Sequence, residues 1–428
     1  MKDVQLKEGS CMRLRELHIN IKIRILINFL QKVTQMAIFP FMAIYFSTQF
    51  GLKISGILMV IVIIASLISS FYGGYLSDVK GRKLVLFRGE LLRFFSVLLM
   101  ALCNSPVFSN AELTFVTFLF TNILIGLITP ANEAILMDVS TDKTRKMLYS
   151  INYWSINLSI AMGSLIGSLF YADHFFELLL ATAFTSLICC ALIQVFIIET
   201  HTFKSIPTKL SFRDLFYGYF DVLKDRIFLI YLLAGTLMLG LEFQLTNYIS
   251  VKLNTDFKPF VLPFSHETKI DGIQMLGYLR IENTILVVVL GAIMLKMMNN
   301  QKEQYVLYIG SIIFALGFSL LAWSNNFYVL LIATFIFTIG ELMYVPIHQS
   351  LLATLIDEKK RSQYIAVNAL RLRGAMLIGS FFIILGDYVS SSIISVLYAF
   401  IGGISVGLYT ILYTNYQSKE KLNHKSVS

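Results

Sequence analysis

The ten residues Gly74–Lys83, GYLSDVKGRK, form a short charged turn between two long apolar runs. Each run is long enough to cross a bilayer, because a helix rising about 1.5 Å per residue needs roughly twenty residues to span about 30 Å of hydrocarbon. Gly73, Gly74 and Ser77 are small enough for helices to approach closely, Asp78 puts an acid at a membrane face, and Gly81 permits a tight turn before Arg82 and Lys83. The segment reads as a hinge between two membrane spans that carries its own charge lock.

Outward from this turn, apolar runs and charged connections alternate along the whole chain. Of 428 residues, 56% are hydrophobic and 14% charged, and the mean hydropathy of +0.71 is that of a polytopic membrane protein. Twelve segments of roughly twenty apolar residues begin near Lys22, Ile54, Leu84, Leu113, Met147, Phe176, Ile227, Ile273, Tyr305, Phe327, Tyr364 and Ser392. The expected fold is an all-α membrane protein with twelve transmembrane helices in two pseudo-symmetric six-helix bundles. Residues 1–198 make the first bundle, 199–226 a cytoplasmic linker, 227–415 the second bundle and 416–428 a cytoplasmic tail.

About 25 of the 35 basic residues lie in the termini and in the loops after even-numbered spans, which places both termini in the cytoplasm. This topology accounts for the net charge of +9, so nucleic acid is not expected as a partner. The basic start of the chain lacks an apolar run ending in a cleavage site, so the first span is expected to act as its own insertion signal. Cys11, Cys103, Cys189 and Cys190 have no metal-like spacing. Neither a disulfide, a metal nor an organic cofactor is expected, and nothing in the chain points beyond a monomer.

In the linker, Phe212, Leu215, Phe216, Tyr219, Phe220 and Leu223 recur at helical spacing beside charged residues, a pattern for an amphipathic helix on the inner surface. A second long connection, 252–271, faces outside and contains Pro259, Pro263 and His266. The two halves repeat one another: Pro130, Arg145 and Asn152 stand 15 and 7 residues apart, and Pro346, Arg361 and Asn368 repeat both intervals. Parallel repeats about an axis along the membrane normal are a transporter architecture, with the substrate cavity between the halves.

GYLSDVKGRK resembles the signature that the major facilitator superfamily carries between spans 2 and 3, and AILMDVSTDKTRK, NYWSINLS, IETHTFK and FTIGELMYVP are similar to its drug/proton antiporters. The resemblance implies a transporter working by alternating access in a bacterial plasma membrane. It further implies a proton gradient as energy source and export of lipophilic or amphipathic small molecules. It also assigns a cytoplasmic gate to Gly74, Asp78, Gly81, Arg82 and Lys83, with Asp138 as partner. The chain departs from the pattern at Val79, where a basic residue is usual, and at Asn152, where a multidrug exporter of this family has an aspartate. Asn122 replaces an arginine common in span 4, and Gly163 and Gly167 occur without the Gly-Pro of the antiporters.

Charges inside apolar spans cost about 2.5 to 3.5 kcal/mol each unless paired or hydrated, so each needs a reason. Glu341 lies roughly 21 Å from the outer face and Arg371 roughly 12 Å from the inner face, depths that nearly coincide and allow the two to pair. Protonation of Glu341 would loosen such a pair and neutralise it for passage between states, whereas a static pair would only join spans 10 and 11. Glu242 in span 7 is a candidate partner for Arg280 in span 8. Glu282, about 200 degrees round the helix from Arg280, either lines the cavity or sits near an aqueous opening. Lys32 stands in a polar stripe with Asn28, Gln31 and Gln35; it neutralises a nearby acid, marks an anionic or zwitterionic substrate or snorkels to the inner face. Glu90 and Arg93 are spaced to pair locally. Tyr149, Tyr153, Trp154 and Tyr344 flank Asn152 and Glu341 and are candidate cavity aromatics, while most of the 35 Phe and 21 Tyr suit lipid contact.

An enzyme would need a nucleophile with its base or a set of metal ligands at close spacing, and none is present in the sequence. A channel would show a filter-like loop and no duplicated halves. Within transport, a carrier of one specific metabolite, in either direction, stays open beside multidrug export.

Overall fold

The computed structural model describes residues 18–139, 142–200, 222–261, 269–298, 301–356 and 361–425. The first half contains α1 (Ile19–Phe50), α2 (Leu52–Lys80), α3 (Arg82–Leu102), α4 (Ala111–Asp138), α5 (Asp142–Phe170) and α6 (Phe175–Phe196). The second contains α7 (Arg226–Glu242), α8 (Tyr248–Asp256), α9 (Gly272–Met298), α10 (Glu303–Trp323), α11 (Phe327–Leu355), α12 (Arg361–Leu385) and α13 (Ser391–Lys425). Ten of these passes are long and apolar enough to cross a membrane, α7 and α8 together counting as one. The remaining two are α3, which carries Arg88, Glu90 and Arg93 within its apolar stretch, and α5, whose apolar part is Ser155–Phe170.

The halves repeat each other in packing. In the first, α2 packs on α4, α1 on α5 and α6, and α3 on α4 and α6; in the second, α9 packs on α11, α7 on α12 and α13, and α10 on α11 and α13. Pro130 and Pro346 occupy the same position counted from the starts of α4 and α11. Gly163 and Gly167 lie against Val33, Ala37 and Phe41 with no room for a Cβ, so the small-residue stripe of α5 packs on α1. Gly73 likewise meets the backbone of Leu127 on α4.

The halves meet through two matching pairs, α2 with α12 and α5 with α9. Gly56 faces Ile384 and Ser380, and Gly277 faces Ser168. All five positions lie towards the ends of their helices remote from the chain termini. Buried apolar side chains run as one cluster through both halves.

The seventh span is broken. A continuous helix is expected from Ile227, but α7 stops at Glu242 and a 3-10 turn, Phe243–Thr246, separates it from α8. The sequence FQLTN supplies the reason, because Gln244 Nε2 donates to Gly240 O at 2.9 Å and Asn247 Nδ2 donates to Phe243 O at 2.8 Å. These amides occupy carbonyls that an intact helix would use, which makes irregular backbone tolerable at membrane depth. The second long connection also starts later than expected. Lys252 is still helical and buried, and its Nζ donates to Leu321 O at 3.2 Å and Ser324 O at 2.8 Å, closing the end of α10. Beyond it, β1 (Phe260–Val261) pairs antiparallel with β2 (Lys269–Ile270), and Phe260 stacks on Phe327 at 4.3 Å. Pro263 and His266 lie outside the described residues, as does most of the expected amphipathic helix of the linker, residues 201–221. The last helix continues to Lys425, into the segment expected as a tail.

Candidate functional site

The charged turn is built from backbone geometry and two acids. Gly81 has a positive φ of 92°, which a side chain would resist, and α3 begins at the next residue. The first amides of α3 then need acceptors: Arg82 N and Lys83 N donate to the Glu199 carboxylate at 3.2 and 2.9 Å. Arg82 forms an ion pair with Asp138 at the end of α4 and donates to Ala134 O at 3.1 Å, while Thr200 Oγ1 donates to Asp138 Oδ2 at 2.7 Å. Lys83 Nζ donates to Gln194 O at 2.9 Å, and Gly74 faces the Pro130 ring. The turn is thereby tied to α4 and the end of α6. Asp78 joins none of these contacts and is exposed.

The polar stripe of α1 divides. Arg24, fully buried, donates to Asn28 Oδ1 at 2.6 Å, and Gln31 Nε2 donates to Glu90 Oε1 at 2.5 Å. Glu90 also pairs with Arg93 at 3.3 Å, as their spacing on α3 anticipates. Asn28 and Gln31 therefore turn into the first bundle. Lys32 contacts Gln35 at 3.4 Å and lies within electrostatic reach of Arg280 on the opposite half.

At mid-depth the second half gathers Glu242, Arg280, Glu341, Tyr344 and Arg371. Glu242 is the last residue of α7, beside the break, solvent-accessible yet surrounded by protein. It interacts electrostatically with Arg280 and Arg371 on one side and with Glu341 on the other. Glu341 Oε2 accepts from Asn283 Nδ2 at 2.9 Å, and the same amide reaches Thr338 Oγ1 at 3.0 Å. Tyr344, one helical turn from Glu341, is buried among both acids and Arg371.

The pairing of Glu341 with Arg371 drawn from their depths is not formed. Arg371 is held instead by His348 Nε2, and His348 Nδ1 meets Tyr409 OH at 2.9 Å. Tyr231 stacks on the imidazole at 4.3 Å and donates to His348 O at 3.2 Å. Gly235 makes the arrangement possible, since a Cβ there would strike the imidazole and crowd Arg371. His348 escapes sequence reading because a lone histidine in an apolar run has no spacing signal; its place seven residues after Glu341, two turns along the same helix, is the only clue. Replacing His348 with Leu leaves the Tyr409 hydroxyl and the guanidinium without their partner, an expected loss of about 1 to 3 kcal/mol per orphaned group. The midpoint of thermal unfolding in detergent should fall accordingly; an unchanged midpoint would contradict this role.

Two expected site residues stand elsewhere. Glu282 faces away from the cluster into a lateral groove, and Asn152 lies on α5 with no described contact to the acids. The side chains of Tyr149, Tyr153 and Trp154 lie outside the described residues. Among the described residues, no group of three or more His, Cys, Asp and Glu side chains is placed to hold a metal ion.

A cluster of acids and guanidiniums at mid-depth in one of two repeated bundles accords with the relatives of this chain. A Na(+), Li(+), K(+)/H(+) antiporter of Planococcus maritimus is 30% identical over 371 residues, covering 84% of this chain and 88% of that protein. Multidrug resistance protein MdtH of Blochmanniella floridana is 24% identical over 340 residues, 78% of this chain and 79% of that one. A crystal structure of a POT family transporter in complex with 5-aminolevulinic acid superposes with a TM-score of 0.73 at 14% identity, covering 92% and 95% of the two chains. Residues 25–380 match the sequence profile of the Major Facilitator Superfamily, and the chain belongs to that family as a multi-pass secondary transporter rather than an enzyme.

Proposed function

We propose that this transporter is a proton-coupled antiporter that exports a cation by alternating access, with Glu341 and Glu242 as the groups over which proton and cation compete. The observation that carries this reading is the electrostatic contact of two carboxylates at the break of the seventh span, bordered by Arg280 and Arg371. With both acids ionised, their charge offsets the neighbouring guanidiniums and a cation can enter. Each proton bound removes one negative charge and leaves the guanidiniums to repel the cation. Proton and cation then exclude one another, which is the condition for exchange. The proton gradient is the energy source, and no organic cofactor enters the scheme.

An alkali-metal cation is the first substrate class, supported by the antiporter relative at 30% identity and by the oxygen donors of Glu341, Glu242 and Thr338. A lipophilic cation is the second, supported by the MdtH relative and by the Tyr344 ring beside the acids. With both termini cytoplasmic, the contacts of Gly56 and Gly277 close the outer side, and the exposed Asp78 marks an open inner side. Asp78 would find its partner only when the inner side closes. Asp78→Asn is therefore expected to slow turnover at least tenfold while equilibrium binding stays within about twofold; unchanged turnover would contradict the gate.

The substrate class is tested in everted membrane vesicles that hold a respiration-driven pH gradient. Addition of Na+, Li+, K+ or tetraphenylphosphonium should dissipate the gradient for the exported ion and not in vesicles lacking the protein. Dissipation by none of them, with uptake in whole cells, would contradict export.

A further inference from the structure

Glu282 is two residues beyond Arg280 on α9 and lies on the opposite side of the helix from the acid cluster. It shares a stripe with Tyr278, Ile285 and Val289, which are 45%, 55% and 57% exposed and face the bilayer. Between this stripe and the start of α11 runs a groove of about 350 Å³, lined by Tyr278, Ile281, Ile285, Leu286, Phe327 and Leu331 around the Glu282 carboxylate. Glu282 Oε2 is enclosed and accepts no hydrogen bond. Among the described residues no cation lines the groove, and Arg280, two positions away, lies on the other side of the helix.

About ten residues separate Glu282 from the outer end of α9, so the carboxylate sits roughly 15 Å deep, near the middle of the hydrocarbon layer. An ionised acid there is costly unless something offsets it. Among the described residues the groove supplies no second polar group, so without a ligand the acid is protonated, and the ionised form is compensated by a bound cation. We propose that the groove is a bilayer-facing binding site for an amphipathic cation, a lipophilic amine or onium ion, separate from the central cavity. Its positive centre meets Glu282, and its apolar body lies against Ile281, Ile285 and Leu331. The rings of Tyr278 and Phe327 offer faces to the charge.

Other occupants fit less well. A phospholipid ammonium is tethered to its phosphate at the interface, far above the carboxylate. A hard metal ion needs several oxygens, and the groove offers one carboxylate among hydrocarbon side chains. Nothing in this assignment depends on Glu341 or Glu242, so it stands or falls apart from the antiport reading.

The test is equilibrium binding of radiolabelled tetraphenylphosphonium at pH 8 to the full-length protein in lipid nanodiscs, with neutral triphenylphosphine oxide as competitor. Glu282→Gln should weaken a saturable component at least tenfold. Ile285→Trp, which fills the groove and leaves the acid in the sequence, should do the same. Glu282→Asp and Glu341→Gln should leave that component within about threefold, and the neutral competitor should displace it only weakly. Wild-type affinity in both Glu282→Gln and Ile285→Trp would overturn the site. Equal loss in Glu341→Gln would move the ion to the central cavity and overturn it too, as would full displacement by the neutral compound or by added phosphatidylethanolamine.

Discussion

Glu341→Gln is expected to lower gradient-driven transport about a hundredfold or more while the protein still inserts and folds, a change of about 2.7 kcal/mol in effective barrier. The amide keeps the shape of the side chain, and its oxygen can still accept from Asn283 Nδ2 as Glu341 Oε2 does. Packing around Tyr344 and Thr338 is therefore preserved. The variant loses the negative charge that offsets the guanidiniums around Glu242 and the capacity to take up a proton. Without the charge, a cation meets Arg280 and Arg371 opposed only by Glu242. Without titration, the loaded and empty carriers no longer differ in the charge moved across the membrane. Flux in proteoliposomes, normalised to monodisperse protein, measures the effect. Wild-type flux with wild-type pH dependence would exclude Glu341 from coupling.

Gly277→Leu should hold the transporter open on the side that is closed in this structure. Gly277 of α9 meets Ser168 of α5, with the Ser168 Cβ 2.5 Å from where a Cβ of residue 277 would stand, and Gly56 meets Ile384 across the matching α2–α12 contact. A leucine at 277 has no space unless α5 and α9 part. Overpacking of this kind costs about 1 to 3 kcal/mol, and a penalty of that size on one of two states shifts their ratio by about 5- to 150-fold. Spin labels at the ends of α5 and α9 beside this contact should report a longer distance, and turnover should fall at least tenfold because the closed state is needed once per cycle. Unchanged distances and turnover would show that this contact is not a gate.

The features legible in the sequence are those whose partners lie close by or whose position is topological. The turn at Gly81, the Glu90–Arg93 pair, the small stripe at Gly163 and Gly167 and the prolines at 130 and 346 follow from spacing alone. Arg82 with Asp138 was reached through family resemblance, since nothing local joins the end of α4 to the start of α3. What escaped depends on tertiary placement. Glu199 reaches the start of α3 across more than a hundred residues. His348 outcompetes Glu341 for Arg371 because Gly235 leaves room for it. The break after Glu242 arises from three polar side chains in FQLTN that an apolar count treats as part of one span. Depth estimates placed Glu341 and Arg371 at one level correctly enough for both to border Tyr344, but depth carries no information about azimuth, which decides whether two groups touch. The same gap left Glu282 undecided between cavity and opening, when its helix face turns it to the lipid.

The exchange of proton for cation is tested most directly with purified protein in proteoliposomes that carry a pH dye inside and start with no pH difference. A tenfold inward gradient of the substrate cation stores about 1.4 kcal/mol. As the cation enters, protons should leave and the lumen should turn alkaline, and Glu341→Gln should abolish the change. Lumenal acidification would mean that proton and cation travel together, and cation entry with no pH change would mean that they are not coupled; either result would contradict antiport.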